Sequence, residues 1–134
     1  MRRPLCAATA LLALAILAST VSFAAAPTCV TGAKGAAPAA SITFTAPTTN
    51  ADGTTIASGT AISYNLYQGT ASGAEVKVGT ALAGSPITVA TGLTDTTFYW
   101  YVTAVDANGE SAPSNEVCKI FPASPPGTIT ITIT

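Results

Sequence analysis

Short alternating segments of apolar and polar residues dominate the chain after about residue 24. Runs of β-branched and aromatic residues are separated by clusters of Gly, Pro, Asn and Asp. Such runs, bounded by turn-forming residues and lacking a helical period, predict β-strands. Their regular spacing predicts an all-β sandwich or barrel. The predicted strands are residues 28–31, 41–46, 61–69, 75–82, 86–93, 96–106 and 114–121.

The most apolar of these runs contains four consecutive aromatic residues, FYWY. Because successive residues of a strand point to opposite faces, Phe98 and Trp100 share one face and Tyr99 and Tyr101 share the other. The first face continues with purely apolar residues, so we predict that it forms the core. For the two tyrosines we favour structural cover of the outer face, with a ligand-binding platform as the alternative.

The N-terminus has the features of a secretory signal peptide. Arg2 and Arg3 precede an uncharged, Ala-rich run that small residues follow. This run is short for a membrane-spanning helix, which needs about 20 strongly apolar residues. Ser22 and Ala24 occupy the small-residue positions of a cleavage site. We therefore predict a signal peptide at residues 1–24, a secreted or periplasmic mature protein, and no stable membrane anchor after cleavage.

Removal of this segment from the 134-residue chain leaves 110 residues, which suffices for one domain. The predicted strands place that domain at residues 25–121. A Pro-rich linker and a β-prone tail would occupy residues 122–134. The mature part has three lysines and six acidic residues, hence a net charge of −3. A basic surface for phosphates is therefore absent, and we predict no nucleic-acid partner.

Two cysteines, Cys29 and Cys118, stand near the two ends of the predicted domain, while Cys6 lies in the predicted signal peptide. An even number of cysteines in an exported chain favours a disulfide. Free thiols are the alternative. A metal site built on the two thiolates is disfavoured because the chain has no histidine and the predicted mature part has no further cysteine.

Three segments together resemble a bacterial fibronectin type III domain: SITFTAPTTNADGT, ISYNLYQGT and TGLTDTTFYWYVTAVDANGESAPSNEV. The resemblance implies a seven-strand, immunoglobulin-like antiparallel sandwich. The first strand would join residues 41–46 and 86–91 in one sheet, and the other four strands would form the second sheet. It also implies that the first and last strands run side by side, so that Cys29 and Cys118 are close enough to form a disulfide.

The sequence offers little for catalysis. It lacks histidine, which removes most general-base, triad and zinc mechanisms. The acidic residues are scattered over loops and strand ends, with no pair that suggests a buried acid beside an ionised partner. Asp106 and Glu110 are interpreted as turn-forming and solubilising, and together with Asp52 they lack the dense oxygen spacing of a calcium site. We predict no enzymatic activity, no metal and no cofactor.

We expect a secreted binding or adhesion module that uses two loops, residues 48–59 and 106–112, to contact a protein or carbohydrate ligand. The candidate contact residues are Asn50, Asp52, Asp106, Asn108 and Glu110. One alternative is an accessory module of an exported polysaccharide-degrading system. Another is a structural subunit that assembles by C-terminal strand addition.

That last alternative rests on the tail GTITITIT, in which the segment from Thr128 to Thr134 alternates strictly between Thr and Ile. Such a pattern predicts a strand. The tail is expected to fold back onto its own domain, to begin a second module, or to pair with a strand of a partner or another copy.

Overall fold

The computed structural model describes residues 25–128 and 130–133. The predicted signal peptide lies outside these residues, as do Ile129 and Thr134 of the tail. Within the described ranges the chain forms strands and no helix. The strands are β1 (Val30–Thr31), β2 (Ala39–Ile42), β3 (Ser63–Gly69), β4 (Val76–Leu82), β5 (Ile87–Ala90), β6 (Thr96–Asp106), β7 (Gly109–Glu110) and β8 (Val117–Phe121).

The strands form two sheets. The larger sheet has the order β1-β8-β6-β3-β4, with β7 also paired to β6, and the smaller sheet consists of β2 and β5. Every pair is antiparallel except β1 with β8, which is parallel. The predicted all-β sandwich is confirmed. The structure has eight strands where the sequence predicted seven, because the chain after Asp106 turns back and pairs as β7 instead of remaining a loop.

The core lies between the two sheets and is centred on β6. Trp100 is 2% exposed and stacks on Phe98 with 5.8 Å between ring centroids. The predicted inward face of this strand is therefore confirmed. The buried core cluster consists of Ala40, Ile42, Tyr64, Leu66, Ile87, Phe98, Trp100, Val102 and Phe121.

The position of β1 differs from the prediction. We expected this strand in one sheet with β2 and β5 and side by side with the last strand; it does lie beside the last strand, β8, but it pairs with it in the other sheet, with Val30 opposite Lys119. The disulfide between Cys29 and Cys118 immediately precedes this pair and holds their Cα atoms 4.6 Å apart. Lys119 also donates from Nζ to the Ala39 carbonyl at 2.9 Å, at the edge of β2 that does not pair with β5. The smaller sheet is consequently left with two strands.

Several strand ends also differ from the prediction, and two of them, the end of β2 and the start of β8, have a visible cause. β2 stops at Ile42 because the Phe44 amide donates to Ser85 Oγ at 3.0 Å instead of continuing the ladder. The last strand begins at Val117 and not at Ser114, because the Ser114 side chain takes the place of a backbone carbonyl as the partner of a β6 amide. Ser114 Oγ accepts from the Val102 amide at 3.1 Å. At both places a backbone amide thus donates to a serine hydroxyl instead of to a carbonyl of the neighbouring strand.

Candidate functional site

A groove of about 520 Å³ lies at one end of the sandwich, between the long loop that joins β2 to β3 and the hairpin that joins β6 to β7. The polar residues that the sequence singled out lie together here. The groove is lined by all five of them: Asn50, Asp52, Asp106, Asn108 and Glu110.

The β2–β3 loop is shaped by its own hydrogen bonds. Thr49 and Thr55 form an isolated antiparallel bridge, so the loop tip is a small hairpin. At this tip Asp52 accepts from the Thr54 amide at 2.9 Å and from the Thr54 hydroxyl at 2.6 Å. Gly53 has a φ of 84°, a left-handed conformation that glycine adopts at little cost. These bonds lower the pKa of Asp52, which keeps its carboxylate ionised.

The β6–β7 hairpin holds its turn with one side chain. Asp106 accepts from the amides of Asn108 at 2.8 Å and Gly109 at 3.2 Å, and from Asn108 Nδ2 at 3.1 Å. The turn-forming role predicted for Asp106 is confirmed. The Asn108 amide and side chain, followed by the Gly109 amide, lower the pKa of Asp106, so this carboxylate is ionised too.

The groove therefore combines an apolar floor with an anionic, hydrogen-bonding rim. Ile56, Ile62 and Ala104 contribute to the floor, and Asp52 and Asp106 place negative charges on opposite loops of the rim. Because the turns fix both loops, little ordering would be needed when a ligand binds. Such a site suits a ligand with hydroxyl, amide or cationic donors and a modest apolar face.

Glu110 lies in the groove lining but its carboxylate is already engaged on the outer face of the larger sheet. It accepts from Asn65 Nδ2 at 2.9 Å, from the Tyr67 hydroxyl at 2.8 Å and from the Thr103 hydroxyl, and it pairs with Lys77 at 3.2 Å. The hydrogen bonds from these three groups, Thr103 first, lower its pKa to about 2. Glu110 thus anchors the β7 hairpin to β3, β4 and β6. The predicted solubilising role does not describe Glu110 fully, because Glu110 also links strands that are distant in the sequence.

The outer-face tyrosines of β6 contribute to the same surface. Tyr101 is 6% exposed and stacks on Tyr67 with 4.5 Å between ring centroids. The Lys77 ammonium lies over the Tyr67 ring at 5.3 Å. Tyr101 is therefore structural cover, as favoured from the sequence, whereas Tyr99 is half-buried.

The scattered acidic residues contain a carboxyl pair that the sequence analysis missed. Glu75 and Glu116 are 41 positions apart, and the fold brings their carboxyl groups into hydrogen-bond contact. Glu116, 5% exposed, accepts from the Ser72 hydroxyl at 2.7 Å and the Gly73 amide at 3.1 Å. Glu75 Oε1 is buried and has no donor among the described residues. The expectation that no buried acid lies beside an ionised partner was wrong.

One proton held between the two carboxyl groups lets one of them donate a hydrogen bond to the other. Burial, followed by the hydrogen bond to Glu116, raises the pKa of Glu75 to about 7. Burial by itself would raise the pKa of Glu116, but bonds from Glu75, Ser72 and the Gly73 amide lower it overall. Glu75 is therefore the protonated donor and Glu116 the ionised acceptor, and the pair fastens the β3–β4 loop to the start of β8.

We expect stability to fall as the pH rises through about 7. The folded-state pKa of Glu75 is above its ordinary value of 4.5. The contribution of Glu75 to the free energy of unfolding is therefore complete below pH 4.5 and is lost above about pH 7. The urea midpoint of the wild type should decrease between about pH 5 and 8, whereas Glu75→Gln, whose amide donates at every pH, should be flat there. Asp95→Asn, at a distant turn, should keep the wild-type pH dependence. An unchanged slope in Glu75→Gln would contradict the assignment.

Among the described residues, no three acidic, cysteine or histidine side chains are grouped so as to hold a metal ion. In the same part of the chain, no helix has the length and apolarity that crossing a membrane requires.

Comparison with known proteins identifies the architecture. No family model matches the chain, and no curated protein matches it. Among solved structures the chain is similar to an Fn3-like protein from Clostridium thermocellum, with 26% identity and a TM-score of 0.50. The match covers 73% of this chain and 96% of that one. The fold is a fibronectin type III-like sandwich. In this fibronectin type III-like domain the groove lies between two loops on a rigid scaffold, where binding residues are often found.

Proposed function

We propose that the protein is an exported, non-enzymatic binding module that holds a protein or carbohydrate ligand in the groove between the β2–β3 loop and the β6–β7 hairpin. The observation that carries the proposal is that two loops distant in the sequence bring all five candidate polar residues to one groove. Export is supported by the signal-like N-terminus and by the Cys29–Cys118 disulfide, a bond typical of oxidising compartments.

The groove restricts the chemistry of the ligand. Asp52 and Asp106 are ionised acceptors, and Asn50 and Asn108 carry side-chain amides at the same rim. A ligand with several hydroxyl or amine donors matches this rim, and an apolar sugar or side-chain face matches Ile56 and Ile62 on the floor. A phosphate-rich ligand would meet two like charges without a compensating lysine in the lining.

Neutralising the rim should abolish ligand retention without unfolding the domain. In Asp52→Asn/Asp106→Asn the Oδ1 acceptors of both turns remain while both charges disappear, so the loops should keep their shape. Ala51→Trp should block the groove instead, because this exposed residue lies in its lining. The measurement is retention of envelope proteins from the native host, and of a glycan panel, on immobilised protein.

Asp95→Asn is the matched control, since it removes the same charge at the turn before β6, away from the groove, and asparagine tolerates the positive φ of 57° found there. Retention of a ligand by the wild type and this control, with loss in both groove variants, is the expected pattern. If no ligand is retained, or if the groove variants retain it as the control does, the proposed function is wrong.

A further inference from the structure

Apart from the two-residue β7, four strands in the described part of the chain have a free edge, and three of these edges are protected against pairing with another chain. The edge of β2 is occupied by the Lys119 side chain, which donates to the Ala39 carbonyl. The edge of β4 carries Lys77 and two irregularities in its register with β3. The edge of β1 is only two residues long and follows the disulfide directly. Lysines, irregular register and short length are the usual means of blocking strand addition.

The fourth edge, that of the four-residue β5, carries no lysine and has a regular register with β2. From residue 83 to residue 92 the chain carries no charged side chain. Thr88 and Ala90 are exposed, and within the described ranges β5 pairs on one side only, with β2. Its second row of backbone donors and acceptors is therefore open.

An uncovered apolar strip of the larger sheet lies beyond this edge. The Lys119 side chain extends from β8 to β2, so β2 lies over the β8 side of the larger sheet. β5 is on the other side of β2 and therefore lies over the β3 and β4 side. The Gln68 side chain accepts a hydrogen bond from the inward-facing Trp100, so Gln68 faces inward. Val76 of β4 is directly opposite Gln68 in the sheet, and its side chain therefore faces inward as well. It is nevertheless 65% exposed. A third strand beside β5 would lie over this side of β4 and cover Val76.

The chain contains a segment that fits this place. Ile131 and Ile133 are 83% and 93% exposed, and they alternate with threonine in a strand-forming pattern. This tail leaves β8 beside the crossing from β1 to β2, with Pro122 next to Gly32 and Ser124 next to Gly35. It thus departs on the side of the sandwich opposite the β5 edge, and residues 130–133 form no strand with their own domain. Of the three alternatives for the tail, folding back as a strand is not seen in the described residues 130–133.

We propose that residues 130–133 of one copy add as a third strand to the free edge of β5 in a second copy, with Ile131 and Ile133 turned toward the larger sheet on the side of Val76. The backbone bonds supply affinity, and the alternation of Ile and Thr sets which face turns inward. Donor and acceptor are different surfaces, so each copy can give a strand to one neighbour and receive one from another. The inference is independent of the groove and of its ligand.

Complementary variants test this pairing. Thr88→Lys places a charge on the acceptor edge, and Ile131→Thr/Ile133→Thr removes the apolar face of the donor; neither alters a buried residue. The wild type and the variants are expressed as the full chain with export, and their sedimentation velocities are compared over increasing protein concentration. The wild type should self-associate and both variants should remain monomeric. A mixture of the two should give a one-to-one dimer in native mass spectrometry, because the first keeps its tail and the second keeps its edge.

Two matched controls keep the result specific. Ser41→Lys puts the same charge on β2, directly opposite Thr88 but at the protected edge, and Thr130→Ser/Thr132→Ser preserves the alternation of the tail. Both should associate like the wild type. A monomeric wild type, association that persists in Ile131→Thr/Ile133→Thr, or a variant mixture that stays monomeric would overturn the proposal. Slow amide exchange of residues 130–133 in a monomer would do the same, since it would show pairing within one copy.

Discussion

Replacement of Trp100 by alanine should lower the free energy of unfolding by about 3–5 kcal/mol, the largest single-residue loss that we expect. Trp100 is 2% exposed, and the substitution removes its stacking on Phe98 and its bond from Nε1 to Gln68 Oε1 at 2.8 Å. The smaller sheet has only two strands, so little material is available to collapse into the cavity. Urea unfolding followed by far-ultraviolet circular dichroism measures the loss without relying on tryptophan fluorescence.

Tyr99→Ala is the control, because Tyr99 is the adjacent aromatic residue on the opposite face and is half-buried. It should cost less than half as much as Trp100→Ala. Equal losses at the two positions would contradict the assignment of inward and outward faces along β6.

Removal of the disulfide by Cys29→Ser/Cys118→Ser should cost about 4–5 kcal/mol on the chain-entropy account. The bond closes a loop across 89 positions, so its loss releases most of the domain in the unfolded state. It also frees β1, because β1 pairs with β8 over only two residues and this pairing contributes little stability by itself. The expected result is a large decrease in the urea midpoint.

A reducing agent provides the matched comparison. It should lower the midpoint of the wild type to that of the double variant and leave the double variant unchanged. Intact mass after alkylation without reduction should show both cysteines unmodified in the wild type. Alkylation of both, or a midpoint that a reducing agent does not move, would contradict the structural role of the bond.

The alternating pattern predicted most of the strands because burial on one face of a sheet imposes a period of two residues. Phe98 and Trp100 were assigned to the core in this way, and both are buried. Strand ends were predicted less well. At Phe44 and Ser114 the competing partner is a side-chain hydroxyl, and a hydrophobic pattern does not record which backbone groups a hydroxyl will take.

Turn chemistry is local, and so the groove residues were recognisable in the sequence. Asp52 precedes a glycine with positive φ, and Asp106 caps the amides of the two residues that follow Ala107. Their partners lie two or three positions away, a distance at which residue type determines the bond. By contrast, the partners of Glu110 come from three other strands, and nothing near it in the sequence indicates them.

The sequence by itself determined the all-β class, the inward face of the long aromatic strand and the two turns that border the groove, and it favoured the pairing of Cys29 with Cys118. These depend on alternation, residue type and contacts over a few positions. Only the tertiary structure decided that β1 belongs to the same sheet as β8, that the carboxyl groups of Glu75 and Glu116 meet, and that β5 keeps an open edge beside uncovered Val76. Each of these depends on how strands distant in the chain are placed side by side, and that placement follows from the packing of the whole domain.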